Sequence, residues 1–454
     1  MSRPRLYRRL CLCLLCLLLT VSCLTVPASA VSPPPESAQV GAACLVCLDN
    51  NQVLYEKHAD VRLYPASTVK IMTGLLACRL LSDRMDAQVT LTSAMLNGVT
   101  GRSLHLAVGE VLTVRDLLFA ALCGSYNDAA CALAVIASGS VSSFVSDMND
   151  EAARLGAGNT YYTNPTGLHD ENMTTTLNDT VTIAREAAAN ELYMAATSAS
   201  SYTIPPTNVS EERVITNRNA LLSDTSQIYR NGYCRGMSAG MTDEGGWCVA
   251  TVCERNGASL LCVVMQGADV PNGEVIPAYT YVNSLLSWAR TNYGYVEVFA
   301  PGASFTTVRV GMTGLSSSET ALLVPDGLSA YLPLDVSAEQ LETSWALIGE
   351  WADGKLTAPV EAGETVGTVM VKYGDEVVGT ARLTAADTFR RNGFMNLMTG
   401  FRAYLGSRAC LITVIIFLIL LLIYIRSVRK TGGRYRAGTW KKRGRGPRRP
   451  GRAK

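Results

Sequence analysis

The segment Ser67-Thr68-Val69-Lys70 has the residue types and the spacing that covalent catalysis needs. On a helix, a separation of three residues places the Ser67 hydroxyl and the Lys70 amine on one face, one turn apart. A serine hydroxyl needs a base to become a nucleophile, and an amine serves if burial keeps it neutral. Backbone N–H groups at the helix N-terminus can also hold a developing oxyanion. The pattern therefore predicts a serine nucleophile with a lysine base.

This four-residue pattern is weak by itself, because Ser427 and Lys430 repeat it near the end of the chain. The context of Ser67 is more specific. Pro65 suits the first turn of a helix, and the stretch through Leu81 is apolar nearly all round. A helix of that kind is typical of the centre of a domain, and this singles out Ser67.

A second candidate is Ser125-Tyr126-Asn127, in a loop predicted between two helices. Ser-x-Asn occurs by chance and is also typical of an ordinary turn. A loop between buried helices would, however, present the Ser125 hydroxyl and the Asn127 amide to one cleft. There the serine would relay the leaving-group proton, and the asparagine would fix a substrate amide.

The elements that must position these residues can be predicted from the surrounding patterns. Alternating and apolar runs indicate strands, Asn256-Gly257 is a strong hairpin signal, and short segments with Gly, Pro, Ser and Thr turns from about 290 to Leu383 indicate a small all-β module. The predicted elements are strand, turn and strand over 41–56, helices over Pro65–Leu81, Thr113–Leu122 and Asp128–Ile136, strands over Trp247–Cys253 and Leu260–Met265, and an amphipathic helix over Arg390–Arg408.

The N-terminus has the three parts of a secretory signal. Four arginines come first, an apolar run from Leu10 to about Val26 follows, and Ala28-Ser29-Ala30 suits signal peptidase. We expect cleavage after Ala30; the alternative is an uncleaved anchor helix. A lipoprotein site at Cys23 is disfavoured because Thr20 stands where such a site has leucine.

The C-terminus predicts a membrane anchor. Ala409 to Ile425 is 17 residues without a charge, which at about 1.5 Å per residue just crosses a hydrocarbon core. Residues 426–454 hold 13 Lys+Arg and no acidic residue. Retention of this basic tail in the cytoplasm explains it better than nucleic-acid binding does. The body then faces outward as a single-pass protein of the cell membrane.

Charge is distributed unevenly over the 454 residues, whose formal net charge is only +2. Residues 1–30 carry +4, residues 31–425 carry −15 from 23 Lys+Arg against 38 Asp+Glu, and residues 426–454 carry +13. The near-neutral total is therefore a cancellation between an acidic body and a basic tail, and we expect no nucleic-acid partner. An apolar content of 48% with 17% charged residues excludes a mainly disordered chain.

Fourteen cysteines suggest a disulfide framework at first sight, but four lie in the signal and Cys410 lies in the predicted span. The remaining nine are an odd number, and several sit in apolar strand-like runs, which favours buried thiols. Cys44 and Cys47 have metal-type spacing. Residues three apart on a strand point to opposite faces, so neither zinc nor a local disulfide is expected there.

Four ordered segments together resemble the serine D-alanyl-D-alanine carboxypeptidases, the low-molecular-mass penicillin-binding proteins. The resemblance spans about 40–290, and the later β-module, including Pro359 to Gly367, looks like the family's C-terminal domain. It implies an α/β fold, namely a penicillin-binding/β-lactamase-like transpeptidase domain in which an antiparallel sheet is packed with helices, then a small all-β domain and a transmembrane helix. The four segments are Tyr64–Thr73, Ser125–Ala130, Asn164–Leu168 and Gly240–Gly245.

By that resemblance, Ser67 attacks the peptide carbonyl between two D-alanines of a peptidoglycan stem, with Lys70 as base, and water releases the acyl-enzyme. Ser125 is the third catalytic residue, and the backbone N–H groups of Ser67 and Met241 form the oxyanion hole. Asn127, Ser238, Gly240 and Met241 bind substrate. The family implies β-lactams as acylating inhibitors and neither a metal nor another cofactor.

The chain departs from the family at its third motif, a strand Lys-Thr-Gly that aligns with Ser238-Ala239-Gly240. The literal Lys430-Thr431-Gly432 lies beyond the predicted span and cannot reach Ser67. In the family this lysine attracts the substrate carboxylate and, as a like charge, helps to keep the base neutral. Its loss implies lower affinity, changed specificity or lost turnover. We expect the nearest cation, Arg235, to point to the other face of the strand.

The predicted domains run in one order along the chain: a signal peptide over 1–30, the peptidase domain over 31–290, the all-β domain over 291–385, a juxtamembrane segment over 386–408, the transmembrane helix over 409–425 and the basic tail over 426–454.

The main alternative function is an inactive peptidoglycan- or penicillin-binding wall protein. A β-lactamase is disfavoured by the anchor and the extra β-domain. A cysteine hydrolase at Cys123 lacks a recognisable histidine partner.

Overall fold

The computed structural model describes residues 34–223, 227–270, 275–313 and 318–432. The predicted signal peptide and most of the basic tail lie outside these ranges. Strands and helices alternate irregularly along the described chain. The strands are β1 Val40–Cys47, β2 Val53–Lys57, β3 Gln88–Thr90, β4 Val111–Thr113, β5 Ser201–Ile204, β6 Arg213–Thr216, β7 Cys234–Thr242, β8 Gly246–Arg255, β9 Ala258–Gly267, β10 Tyr293–Phe299, β11 Ala303–Val310, β12 Ser318–Val324, β13 Leu328–Pro333, β14 Glu342–Leu347, β15 Thr365–Tyr373 and β16 Glu376–Ala385.

The helices begin after a short 3-10 turn at Ala66–Thr68. In chain order they are α1 Val69–Leu80, α2 Ser93–Leu96, α3 Val114–Leu122, α4 Asn127–Ser138, α5 Val141–Arg154, α6 Leu177–Ala188, α7 Glu191–Ser198, α8 Pro277–Asn292, α9 Gly393–Leu405 and α10 Arg408–Gly432. The chain divides into two compact units, the first being Met1–Pro301, Asp326–Trp345 and Val369–Ala381, and the second being Gly302–Pro325, Ala346–Thr368 and Arg382–Lys454.

An antiparallel five-stranded sheet of order β2-β1-β9-β8-β7 forms the framework of the first unit. Alternate residues of its strands enter two different cores, one containing α1 and the other containing α8. Cys44 lies in the α1 core and Cys47 in the α8 core, as a two-residue side-chain period requires. The hairpin predicted at Asn256-Gly257 is confirmed, with φ of +53° and +80°. The two central strands thus form as expected.

Helix α1 is buried on all sides, which confirms the prediction from its apolar sequence. Every residue from Val69 to Cys78 is buried. The helix differs at its start: residues Ala66–Thr68 form a 3-10 turn, and Ala66 has a φ of +46°. Ser67 therefore lies on a tight turn that leads into the helix, rather than within it.

Helices α3 and α4 flank the second motif. Thr113 caps α3 through a capping box with Asp116. The chain breaks between Cys123 and Tyr126, where Ser125 has a φ of +59°, and α4 begins at Asn127. A loop between two buried helices was predicted, and the structure confirms it.

The region after α8 is built of strands, as predicted. Strands β10 and β13 form one pair, and a five-stranded sheet has the order β11-β12-β16-β15-β14. Two helices follow, α9 within the predicted juxtamembrane segment and α10 over the predicted span. The sequence did not predict α8, whose 16 residues begin at Pro277 and cover one face of the sheet in the first unit.

Candidate active site

Lys70 is a buried amine with two fixed hydrogen-bond partners. Only 3% of the residue is exposed. Its Nζ donates to Asn127 Oδ1 at 2.8 Å and to the Thr166 carbonyl oxygen at 2.6 Å. A neutral amine has two N–H hydrogens and one lone pair, so these partners use both hydrogens and leave the lone pair to accept a proton.

Burial is also the main reason that the Lys70 amine is a base near neutral pH. Desolvation lowers the pKa of Lys70 from 10.5 to about 7. The neighbouring Cys131 thiol acts in the opposite direction, and the positive charge of Arg102 lowers the pKa further. An amine with this pKa is largely unprotonated just above neutrality, as a general base requires.

Ser67 faces strand β7 at very short range. The Ser238 hydroxyl donates a hydrogen bond to the Ser67 carbonyl oxygen at 2.8 Å. A Cβ at position 240 would lie 2.2 Å from Ser67 Oγ, so only glycine fits there. The structure thus brings Ser67, Ser238 and Gly240 together, as the alignment of the third motif requires.

The second motif reaches the base directly through Asn127. Its Nδ2 donates to the Thr100 carbonyl oxygen at 2.9 Å, which leaves Oδ1 to accept from Lys70. Ser125 is buried in the same loop, with 6% exposed. Asn127 therefore orients the Lys70 amine, a contact that the sequence did not indicate because it assigned this amide to substrate.

The third segment of the resemblance, Asn164–Leu168, has a structural role that the sequence did not reveal. Asn164 Oδ1 accepts from the Thr166 and Gly167 backbone N–H groups at 3.1 and 2.8 Å, and this turn aims the Thr166 carbonyl at Lys70. Gly167 has a φ of +81°, and a Cβ there would lie 1.9 Å from the Ala66 carbonyl oxygen. The Asn-x-x-Gly pattern indicates a turn, but it does not indicate that this turn contacts Lys70.

The strand side of the cleft has a different geometry from the one predicted for Arg235. A β-bulge between Arg235 and Ser238 places them opposite Val252 and Ala250, which share the α1 face. The prediction that Arg235 points to the other face is therefore wrong. Arg235 nevertheless directs its Nε to Glu254 Oε2 at 3.3 Å and is about half exposed. Its charge is engaged there by the Glu254 carboxylate.

Cys123 has the properties of a structural thiol. Burial raises its pKa to about 12, and its Sγ donates to the Ala199 carbonyl oxygen at 3.4 Å. A thiol in this state is a poor nucleophile. All nine cysteines between Cys44 and Cys262 are buried and free, which confirms the prediction of buried thiols.

Two family models match successive parts of the chain. The family model for D-alanyl-D-alanine carboxypeptidase matches residues 28–269, and that for the C-terminal domain of penicillin-binding protein 5 matches residues 293–391. The chain is 26% identical over 360 residues to D-alanyl-D-alanine carboxypeptidase DacF of Bacillus subtilis, covering 79% of this chain and 87% of the relative. It is 31% identical over 263 residues to the D-alanyl-D-alanine carboxypeptidase of Streptomyces sp. strain K15, covering 55% and 87%.

The fold is shared with solved structures. Penicillin-binding protein 5 from Haemophilus influenzae superposes with a TM-score of 0.60 at 23% identity, covering 79% of this chain and all of that one. At this identity the likeness concerns the fold. The first family model spans more than half of the chain, and the fold and the named relatives agree with it. The chain belongs to the family of serine-type D-alanyl-D-alanine carboxypeptidases.

Proposed function

We propose that Ser67 is the nucleophile and Lys70 the base with which this carboxypeptidase removes the terminal D-alanine from peptidoglycan pentapeptide stems. The observation that carries the proposal is the state of Lys70, a buried amine whose two hydrogens are bound by Asn127 and Thr166. Its lone pair is thereby free for the proton of a neighbouring hydroxyl. Ser67, three residues before Lys70 on the tight turn, is partly exposed and can meet a substrate.

The reaction proceeds in two acyl-transfer steps. The Ser67 hydroxyl proton passes to Lys70 as Oγ bonds to the carbonyl carbon between the two D-alanines. The N–H groups of Ser67 and Met241 hold the oxyanion, and collapse breaks the C–N bond while the leaving amine takes a proton relayed by Ser125. Water then attacks the ester with Lys70 again as base, which releases the shortened stem and restores Ser67.

Ser238 changes how the substrate is held. A terminal carboxylate would meet a hydroxyl on β7 instead of an ammonium, and that hydroxyl already donates to Ser67. Because its one hydrogen is bound to Ser67, this hydroxyl cannot also donate to the carboxylate, and it carries no charge to attract it. We infer that carboxylate recognition by this strand is weak. The alternative function is that of a wall protein that binds stem peptides or penicillins without turnover.

One experiment separates the two candidates. The full chain in detergent is incubated with a pentapeptide stem, and released D-alanine is measured. Release that disappears in Ser67→Ala supports the enzyme, whereas no release by the wild type would leave only the binding protein. Labelling by a fluorescent penicillin identifies the nucleophile, because labelling that persists in Ser67→Ala would exclude Ser67. Ser142→Ala, at an exposed serine of α5, is the matched control and should behave as wild type.

We also propose that α10 anchors the protein, with the catalytic domain outside the cell membrane. An 18-residue window within Arg408–Arg429 has a mean hydropathy of 2.8 and is not buried against the rest of the described chain. The basic residues that follow favour a cytoplasmic tail. A maleimide that cannot cross membranes tests the topology: a cysteine introduced near residue 450 should react only after permeabilisation. Reaction in intact cells would contradict this orientation.

The remaining domain boundaries are proposals of the same kind. The predicted limits are 1–30 for the signal peptide, 31–290 for the peptidase domain, 291–385 for the all-β domain, 386–408 for the juxtamembrane segment and 426–454 for the tail. N-terminal sequencing of the exported protein tests the first limit, and a mature chain that begins at Val31 is the expected result. A chain that still begins at Met1 would support the uncleaved anchor.

A further inference from the structure

Residues 100–102 hold the loop that carries Ser125 and Asn127. The Asn127 backbone N–H donates to the Arg102 carbonyl oxygen at 2.8 Å, and Asn127 Nδ2 donates to the Thr100 carbonyl oxygen at 2.9 Å. Gly101, with a φ of +76°, lies so close that a Cβ there would be 2.9 Å from Asn127 Nδ2. The partner of the Lys70 base is therefore positioned by this short segment.

The Arg102 side chain reaches the same loop from outside. Its Nε donates to the Gly124 carbonyl oxygen at 2.6 Å, and its guanidinium carbon lies 4.7 Å from the centroid of the Tyr126 ring. A guanidinium at this distance over an aromatic face is held by a cation–π interaction. These contacts with Gly124 and Tyr126, on either side of Ser125, thus fix a positive charge beside the loop that carries Asn127.

The positive charge of Arg102 compensates for the positive charge that strand β7 lacks at Ser238. Strand β7 offers the neutral Ser238 next to Ser67, and Arg235 is paired with Glu254. A nearby like charge disfavours the ammonium form of a lysine. Arg102 lies on the segment that contacts Asn127, the hydrogen-bond partner of Lys70, and its positive charge lowers the pKa of Lys70, by less than burial does.

Other titratable groups around Lys70 do not supply this effect. Cys131, from α4, is an uncharged thiol because burial raises its pKa to about 11. Asp128, also on α4, accepts hydrogen bonds from the Ser103 hydroxyl and three backbone N–H groups, and its negative charge would favour the ammonium. The His169 ring contacts the Tyr64 ring in an edge-to-face arrangement, and its Nδ1 lies 3.7 Å from Glu244 Oε2.

We propose that Arg102 is a positioning residue for the Lys70 base, supplying from the loop side of the cleft the positive charge that Ser238 does not supply from the strand. The inference rests on the proposed acylation of Ser67 with Lys70 as base. It assigns a function to a residue outside the four motif segments.

The test is the pH dependence of acylation by a fluorescent penicillin, measured on the full chain in detergent. In Arg102→Met the acidic limb of the rate profile should move to higher pH. At pH values below this limb, a shift of one pH unit should slow acylation about tenfold. The alkaline plateau should stay near the wild-type rate. Arg102→Lys should restore the limb, because it restores the charge. Arg235→Met, which removes a cation paired away from the cleft, should leave the limb unchanged.

A limb that does not move in Arg102→Met would overturn the proposal, as would a moved limb that Arg102→Lys fails to restore. A second measurement does not depend on any variant folding. Arg102 is exposed, so raising the salt concentration to about 1 M should screen its charge and move the wild-type limb to higher pH. The absence of a salt effect on the limb would also overturn it. A wild type that takes up no penicillin would instead contradict the proposed function.

Discussion

The Ser238 hydroxyl donates its hydrogen bond to the carbonyl oxygen of Ser67, at 2.8 Å. Ser238, which stands where the family has its strand lysine, is thus hydrogen-bonded to the backbone of the proposed nucleophile, Ser67. Because this bond uses the one hydroxyl hydrogen, Ser238 can only accept from a substrate while it holds Ser67. In place of a lysine that would bind the substrate carboxylate, the chain therefore has a serine that stabilises the turn carrying Ser67.

Ser238→Lys tests that exchange. A lysine on β7 would offer a charge-assisted hydrogen bond to a terminal carboxylate, and we expect the KM for a D-Ala-D-Ala peptide to fall by about tenfold, since such bonds contribute about 1.5–3 kcal/mol. KM and kcat should be measured by D-alanine release. The same peptide with a C-terminal amide is the control, because it has no carboxylate. Equal changes in KM for both peptides would show that the charge is not what the strand lacks.

Gly240→Ala should strongly slow acylation with little effect on folding elsewhere. The new Cβ would lie 2.2 Å from Ser67 Oγ, so the nucleophile must move. A displacement of about 1 Å costs on the order of a hundredfold in rate. Penicillin labelling measures the loss. Gly158→Ala is the matched control, since a Cβ at that position meets nothing within 4 Å, and it should be labelled at the wild-type rate.

Acylation by the wild type should depend on a single group with a pKa of about 7, that of Lys70. The neutral amine is the active form, so the rate should rise with pH, reach half its maximum near pH 7 and level off above about pH 8. A stopped-flow series with a chromogenic cephalosporin measures this profile. A rate that falls as pH rises through 7 would mean that the charged amine is the active form.

Asn127→Asp should move the same limb to higher pH. The new carboxylate would stand where Oδ1 now accepts from Lys70 at 2.8 Å, and an opposite charge at that distance raises a lysine pKa by about 1–3. Acylation at pH 7 should then fall at least about fivefold and recover at alkaline pH. Asn190→Asp keeps an acceptor at the N-cap of α7 and should leave the profile unchanged. An acidic limb that stays in place in Asn127→Asp would argue against direct contact with the base.

The sequence by itself determined the local elements, because their signals lie within a few residues of each other. The apolar run of α1, the capping box of Thr113 and the Asn256-Gly257 turn each specify their own conformation. It also determined the family, since four short segments in the correct order are enough for that, and it showed that the strand lysine is absent.

Only the tertiary structure decided how these parts act on one another. The lone pair of Lys70 is free because Asn127 and Thr166, 57 and 96 residues away, take its hydrogens. The bulge before Ser238 reversed the expected face of Arg235, since one extra residue shifts an alternation that the sequence pattern assumes. Arg102 lies near the proposed base only because its segment packs on the loop at 124–127. Burial and long-range contacts set the pKa of Lys70, and neither is encoded in local spacing.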